Sequence, residues 1–202
     1  MIEARELLRG LAERFPPRDT PWQGEGRQAG VLVALTDEAE PRVVLGRRAQ
    51  HLPLHPGEVA FPGGKREPED RGVWETAVRE SEEEVALPPA LVSYQAQLPP
   101  LVTRTRYEVH PCIGLIPPGL SFTVDPAEFD SVFTPALSLF ARREHFRLER
   151  MLYRDEEVYV PHYEIGSDTV WGVTAAVLAQ IVNVVYDAGF DLKRDWKALP
   201  EV

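Results

Sequence analysis

The stretch from Phe61 to Leu87, FPGGKREPEDRGVWETAVRESEEEVAL, constrains this chain more than any other feature. Two glycines lead into an acidic loop, and the loop leads into a helical pattern with four glutamates, at 80, 82, 83 and 84. Like charges four residues apart destabilise a helix, so this crowding needs compensation. A bound divalent cation would compensate it, whereas the alternative is a solvated acidic helix face.

The helical period separates these glutamates from the core. At about 100° per residue, Glu80, Glu83 and Glu84 fall within about a third of the helix circumference, while Glu82 points elsewhere. Apolar residues lie on the neighbouring arc, which we expect to face the core: Trp74, Ala77, Val78 and Val85. The three carboxylates therefore line an edge between core and solvent, where Mg²⁺ could take several oxygen ligands from one rigid helix.

The glycines before the helix favour the metal-site interpretation over a solvated face. Gly63 and Gly64 have no Cβ, which lets their backbone approach a ligand or a metal ion closely. Arg79, beside the glutamates, could hold one of them in place by a bidentate ion pair.

Composition excludes several classes of function. The chain has 202 residues, 44% hydrophobic and 27% charged, with a net charge of −10. That charge argues against a nucleic-acid partner and against an acidic membrane surface, but it leaves a small anionic substrate possible. With a single cysteine, no signal-like apolar core and no apolar run of about 20 residues, we expect a cytoplasmic protein with no membrane span.

Hydrophobic patterning predicts an α/β fold with a mixed sheet covered on both faces. Helices are expected over Ile2–Phe15, Gly72–Val85 and Thr174–Ala188. Val31–Leu35 and Val43–Arg47 flank an acidic turn and are predicted to form a β-hairpin. Further strands are predicted over Leu91–Gln97, Tyr107–Ile116, Phe146–Tyr153 and Val158–Ile165.

The glycine-to-glutamate spacing resembles the signature of the Nudix hydrolases. Gly64, five residues, Asp70, eight residues and then RESEEEVAL follow the Nudix pattern of glycine, five residues, an acid, seven residues and Arg-Glu-apolar-any-Glu-Glu. Four features depart from that pattern: Asp70 in place of glutamate, a spacer longer by one residue, Ser81 in place of an apolar residue, and Ala86 where glycine is usual.

The longer spacer and the aspartate resemble the coenzyme A diphosphatase branch of that family. The branch has a second motif upstream, and VVLGRRAQHLPLHPGEVAFPGG is similar to it at Arg48, Gly57 and Phe61–Gly64. Gly46 stands for a threonine, and Pro53 stands where a basic residue is usual. The resemblance implies a Nudix-type α/β/α sandwich that is one domain over 1–202, with a helix and loop over 1–28 and the catalytic core over 29–202.

The resemblance also implies roles for individual residues. The family hydrolyses a diphosphate linked to a nucleoside with Mg²⁺ or Mn²⁺, so Glu80 and Glu84 are the expected principal metal ligands. Glu83 and the Gly64 carbonyl are further ligands, and Arg79 pairs with a glutamate. Glu83, Glu84, Arg79 and Glu128 form the expected catalytic set, although Glu128 is alternatively a charge at a helix N-terminus. The expected substrate contacts are Gly63 and three arginines chosen for their charge: Arg48, for which a surface role is the alternative, and Arg104 and Arg106.

Several functions stay open at this level. The resemblance favours coenzyme A, or a derivative of it, as the small-molecule substrate of a monomer or homodimer. Another Nudix activity, on ADP-ribose, a dinucleotide or a nucleoside triphosphate, is the first alternative. A silent Nudix-like domain that senses a nucleotide is the second, and a protein-interaction domain with an acidic face is the third.

Overall fold

The computed structural model describes residues 4–18, 20–103, 106–153 and 156–192. Four α-helices occur in these ranges: α1 (Ala4–Leu7), α2 (Arg9–Arg14), α3 (Val73–Val85) and α4 (Gly172–Val185). The strands are β1 (Gln28–Thr36), β2 (Leu45–Arg48), β3 (Val59–Ala60), β4 (Gly63–Lys65), β5 (Ser93–Gln97), β6 (Leu101–Val102), β7 (Glu108–Ile116), β8 (Phe129–Phe133), β9 (Phe146–Tyr153), β10 (Glu156–Ile165) and β11 (Asp168–Trp171). In the described ranges, no helix is both long and apolar enough to cross a membrane.

The described strands form three sheets, of which the largest is the mixed central sheet. The central sheet has the order β4-β1-β7-β5, with β6 also paired to β7, and its only parallel pair among the described residues is β1 with β7. Two smaller antiparallel sheets have the orders β3-β2-β8 and β11-β10-β9. The predicted mixed sheet is therefore confirmed, and strands of a separate sheet lie beside its glycine-rich edge.

Strand β1 is buried on both faces, which makes the fold a sandwich. Leu32 and Ala34 belong to the apolar cluster that includes residues of α3. Val33 and Leu35 point to the opposite face, into the larger cluster that includes α1, α2 and α4. Because successive side chains of a strand alternate between faces, one apolar strand contributes to both layers. The α/β/α sandwich predicted from the sequence is confirmed.

Helix α3 lies close against β1. An added Cβ on Gly30 would lie 2.8 Å from the Val73 carbonyl oxygen, so only glycine permits this approach of helix and strand. The predicted core-facing arc is confirmed for Ala77, Val78 and Val85, which are buried, while Trp74 is half-buried and packs against the same cluster. The helix ends at Ala86, whose backbone is left-handed (φ 54°, ψ 38°) and donates its N–H to the carbonyl of Glu82.

The predicted β-hairpin is wrong, although its turn exists. Val43 and Leu35 form an isolated antiparallel bridge, but β1 and β2 then separate into different sheets. The first strand finds a longer partner in β7, with which it pairs from Gln28↔Glu108 to Thr36↔Ile116. A long-range ladder thus replaces the local hairpin, and local sequence contains no signal for that choice.

Other boundaries differ by a few residues. The first predicted helix is divided at Leu8 into α1 and α2. A short 3₁₀ turn over Pro89–Leu91 precedes β5, so that strand begins two residues later than predicted. The last helix covers Gly172–Val185 rather than Thr174–Ala188.

Candidate active site

Glu84 is a buried carboxylate held by Gly63, which with Gly64 begins the edge strand β4; we call this pair and the segment that follows it, up to α3, the glycine loop. Its side chain accepts a hydrogen bond from the Gly63 N–H (2.8 Å), and the residue is only 5% exposed. Gly63 has φ +150°, and an added Cβ would lie 2.5 Å from the Gly30 carbonyl oxygen, so the loop requires glycine here. Burial raises the pKa of Glu84 to about 8, and the nearby charges of Glu80 and Glu128 add to this rise.

Glu80 lies against the second glycine of the loop. An added Cβ on Gly64 would lie 2.5 Å from both carboxylate oxygens of Glu80. The Glu80 carboxylate therefore occupies space that is free only because residue 64 is a glycine. Burial raises the pKa of Glu80 above its ordinary value, although Arg79 opposes the rise through an ion pair of 3.0 Å. Two crowded carboxylates, one helical turn apart, therefore face the loop glycines.

Arg79 pairs mainly with Asp70, which corrects the predicted bidentate pairing with a glutamate. Its Nε donates to Asp70 Oδ1 (2.9 Å) and its Nη2 to Asp70 Oδ2 (3.0 Å). Asp70 also accepts hydrogen bonds from the Glu67 N–H and the Thr76 hydroxyl, both at 2.8 Å. Burial raises the pKa of Asp70, but these hydrogen bonds outweigh it and leave the pKa below its ordinary value.

Sequence reasoning therefore missed Asp70 as a positioning residue. The signal was available, because Asp70 was already recognised as the acid of the glycine-to-glutamate spacing. The sequence suggested a glutamate as the partner of Arg79 because Glu80 and Glu83 are closer to it along the chain. In the folded protein the acidic loop places Asp70 next to the Arg79 guanidinium. Arg79 still contacts Glu80, and it reaches Glu83 at 3.1 Å.

Glu83 is the carboxylate that does not join the others. Its side chain is 59% exposed and paired with Arg79, outside the pocket that Glu80 and Glu84 share with the glycine loop. Among the described residues, no three acidic, histidine or cysteine side chains converge as ready-made metal ligands. Glu80 and Glu84 nevertheless fit a hard cation, because they supply oxygen donors whose negative charges are crowded, partly desolvated and short of compensation.

The structure brings two distant predicted residues, Arg48 and Glu128, to this pocket. Arg48 Nη2 lies 3.5 Å from Glu128 Oε2, and both charges act on the Glu84 carboxylate. The alternative prediction for Glu128, a charge at a helix N-terminus, is wrong because it ends a turn that leads directly into β8. The Nε of Arg48 is buried and has no hydrogen-bond partner among the described residues.

Of the predicted substrate arginines after β6, Arg106 lies beside an aromatic and cationic group that the sequence did not reveal. Arg104 lies outside the described residues, and Arg106 is exposed in a turn with φ 63°. Next to it, the Tyr107 ring has the Lys65 ammonium 5.9 Å and the Arg27 guanidinium 5.8 Å from its centroid. Lys65 directly follows Gly64, so this group borders the carboxylate pocket.

Comparison with known proteins identifies the family of this chain. The model of the NUDIX domain family matches residues 26–157, which is more than half of the chain. The Nudix hydrolase NudL of Yersinia enterocolitica is 38% identical over 178 residues, which cover 83% of this chain and 88% of that protein. NudL of Photorhabdus laumondii is 34% identical over 185 residues, covering 92% of this chain and 99% of its own.

Solved structures show the same fold at low sequence identity. The NUDIX hydrolase of Alicyclobacillus acidocaldarius has a TM-score of 0.52 and 18% identity, covering 84% of this chain and 98% of that chain. A MutT/nudix family protein of Enterococcus faecalis has a TM-score of 0.51 and 16% identity, covering 84% and 66%. The chain therefore belongs to the Nudix hydrolase family, whose members act on phosphoric anhydrides of small molecules and generally use divalent cations such as Mg²⁺ or Mn²⁺.

Proposed function

We propose that this Nudix hydrolase cleaves the diphosphate bond of coenzyme A or its derivatives, giving 3′,5′-ADP and 4′-phosphopantetheine. The main support for diphosphate hydrolysis is that one pocket combines a cationic hydrogen-bond donor, Arg48, with the crowded carboxylates of Glu80 and Glu84. Arg48 keeps a buried Nε without a partner in the described part of the chain, beside Glu128 and within the field of Glu84. The Arg48 side chain is 23% exposed, so a diphosphate oxygen could bind its guanidinium, whose buried Nε is costly to leave without a partner.

Glu80 and Glu84 are the proposed principal ligands of Mg²⁺ or Mn²⁺, and the Gly64 carbonyl and Glu83 are further ones. When bound, the cation would neutralise the charge of the diphosphate and assist the attacking water. Glu83 would have to leave Arg79 to contribute, since the two are paired at 3.1 Å. Arg79 is then a positioning residue, held by Asp70 and holding Glu80.

Glu128 is the proposed general base. It would accept a proton from water as the water oxygen attacks a phosphorus and the bridging P–O bond breaks. Its side chain is 41% exposed, so it can reach solvent, and it lies 3.5 Å from the Arg48 guanidinium. Glu83 and Glu84 are the alternative bases, but Glu84 already accepts the Gly63 N–H and is buried.

The adenosine end of the substrate is proposed to lie over Tyr107. The Lys65 ammonium has no carboxylate within ion-pair distance among the described residues, and with Arg27 it makes that ring a cationic surface. An aromatic ring among cations suits a purine base and the 3′-phosphate of coenzyme A. Arg106 adjoins this surface, and we keep Arg104 beside it as a proposed 3′-phosphate contact.

The choice of coenzyme A rests on the upstream motif, in which Arg48, Gly57 and Phe61–Gly64 are similar to the coenzyme A diphosphatase branch. Hydrolysis of ADP-ribose or of another nucleoside diphosphate derivative is the alternative within the family. A panel assay separates them: preference for ADP-ribose over coenzyme A would refute our substrate assignment. Tight coenzyme A binding without Mg²⁺-dependent turnover would instead indicate a nucleotide sensor.

The decisive experiment is mass spectrometry of coenzyme A incubated with the protein and Mg²⁺ in ¹⁸O-labelled water. We expect both products, with the label in the one whose phosphorus is attacked. Glu84→Gln should lower kcat/KM by at least about 10 to 100-fold, because even the loss of a group that supports a metal ligand costs that much, and Glu128→Gln should lower kcat by about 100-fold or more. Glu82→Gln is the matched control, because Glu82 is an exposed glutamate on the same helix.

If Glu82→Gln and Glu84→Gln have equal, small effects, the acidic helix face is not a metal site and the proposed function fails.

We also propose that 1–202 act as one hydrolase domain, with 1–28 as a leading helix and loop before the core at 29–202. The only cysteine, Cys112, is buried and unpaired, which supports the proposed reducing, cytoplasmic location.

A further inference from the structure

A concave site lies between β3 and the β9-β10-β11 sheet. This cleft has a volume of about 460 Å³, within the range of about 300–1,000 Å³ that is typical of small-molecule sites. One wall is the segment from Pro56 to Val59, and the other is one face of the small sheet. Met151 and Trp171 supply apolar surface on that face, and the Trp171 ring lies nearly parallel to His162 (15°).

The charged side chains that line the cleft already have partners within the protein. Arg147 pairs with Glu149 and Glu164, and Glu149 also contacts His162 at 3.3 Å. Asp168 accepts two hydrogen bonds from Arg47, at 2.6 and 2.7 Å, and Glu58 contacts His55 at 2.9 Å. The cleft therefore offers no spare cation, among the described residues that line it, for a phosphate. Its chemistry suits an uncharged ligand with apolar and hydrogen-bonding parts.

The cleft is joined to the carboxylate pocket through Arg48. The Arg48 N–H donates to the Glu58 carbonyl (2.9 Å) and its carbonyl accepts from the Gly57 N–H (3.0 Å), so its backbone borders the cleft wall. The side chain of the same residue reaches Glu128 at the pocket. Val59 in the cleft wall and Gly63 at the start of β4 are four residues apart, which limits the distance between their Cα atoms to about 14 Å.

The segment from Gly57 to Lys65 thus passes three environments in order. It borders the cleft first, then the carboxylates at Gly63 and Gly64, and finally the cationic ring surface at Tyr107. Coenzyme A has a matching order: an uncharged arm with two amides, a diphosphate, and an adenosine that carries a 3′-phosphate. Building on the proposed function, we propose that the cleft binds the uncharged pantetheine arm, with the nucleotide at the opposite end.

The test compares coenzyme A with a truncated substrate, the P²-methyl ester of 3′-phosphoadenosine diphosphate, which keeps the nucleotide and the diphosphate but lacks the arm. Met151→Trp would fill the cleft from the sheet. Ser167→Trp would fill it from an exposed turn, where a folding defect is less of a risk. Leu152→Trp is the matched control, because Leu152 is adjacent to Met151 on the opposite face of β9 and 74% exposed.

We expect both cleft variants to lower the kcat/KM ratio of coenzyme A to truncated substrate by at least about tenfold, through KM for coenzyme A. Leu152→Trp should leave the ratio within about twofold of the unmodified protein. If the unmodified protein cleaves coenzyme A but the cleft variants keep its kcat/KM ratio, the proposed arm site is wrong and the proposed function stands. Unmodified protein that does not cleave coenzyme A would overturn the proposed function and the arm site together.

Discussion

Asp70→Asn tests how much the acidic loop contributes to holding Arg79. The Asp70 side chain is 3% exposed and the Arg79 side chain 22% exposed, so two short charge-assisted hydrogen bonds are shielded from water. Removing one partner of a buried ion pair costs about 3–5 kcal/mol. Because Arg79 keeps its contacts with Glu80 and Glu83, we expect the lower end, about 3 kcal/mol.

The assay is urea unfolding in EDTA at neutral pH, which gives the free energy of unfolding without a metal contribution. Glu75→Gln is the control, since Glu75 lies on the same helix and pairs with Arg71, which precedes the helix and is 88% exposed. Exposed pairs contribute about 0–1 kcal/mol, so the control should change the free energy of unfolding by less than about 1 kcal/mol. Equal losses in the two variants would refute the reasoning.

The pH dependence supplies a second check on Asp70. Its pKa in the folded protein is lowered below the ordinary value of 3.8, so its contribution is present above that pH and is lost as the pH falls through the lower folded-state pKa. The difference in stability between the protein and Asp70→Asn should therefore shrink in strong acid. A difference that stays constant from neutral pH to pH 2 would show that the ion pair is not its source.

Three further predictions concern the loop and the helix. Ala86→Gly should raise the free energy of unfolding by about 1 kcal/mol, because a left-handed backbone at φ 54° strains alanine but not glycine; calorimetry showing no gain would contradict this. Gly64→Ala should displace the Glu80 carboxylate and weaken activation by Mg²⁺ by about 10 to 100-fold in a metal titration, while Gly26→Ala, which would meet no atom within 4 Å, should have no effect. Without metal, the pKa of Glu84 in the folded protein is about 8, well above its ordinary 4.5, so the folded protein should lose stability and its melting temperature should fall as the pH rises from 5 to 8. Either Mg²⁺ or Glu84→Gln should make the melting temperature less dependent on pH over this range. An unchanged pH dependence in Glu84→Gln would contradict the assignment.

Local sequence determined helix α3 and the residues that it presents. The helical period separates the buried Ala77, Val78 and Val85 from the glutamates, and the structure has this arrangement. Glu80 and Glu84 share one side because residues four apart always do. The two glycines each make room for a neighbouring backbone or carboxylate, and their expected close approach to a ligand or a metal ion stays a prediction.

Only the tertiary structure decided the partners that come from distant parts of the chain. Asp70 rather than a glutamate holds Arg79, and β1 pairs with β7 rather than with the strand that follows it. Glu128 reaches the pocket from a turn before β8, in contact with Arg48 of β2. The cleft that we propose for the pantetheine arm has walls about 100 residues apart in sequence, from Pro56–Val59 and from the β9-β10-β11 sheet.

The physical reason for this division is the range of the interactions. A helical face depends on torsion angles and spacing within a few residues, so a single segment specifies it. The partner of a strand, an arginine or a cavity wall depends instead on which distant groups pack best once the whole chain is compact. That competition is settled by burial and by the satisfaction of buried polar groups across the fold, and local sequence does not encode it.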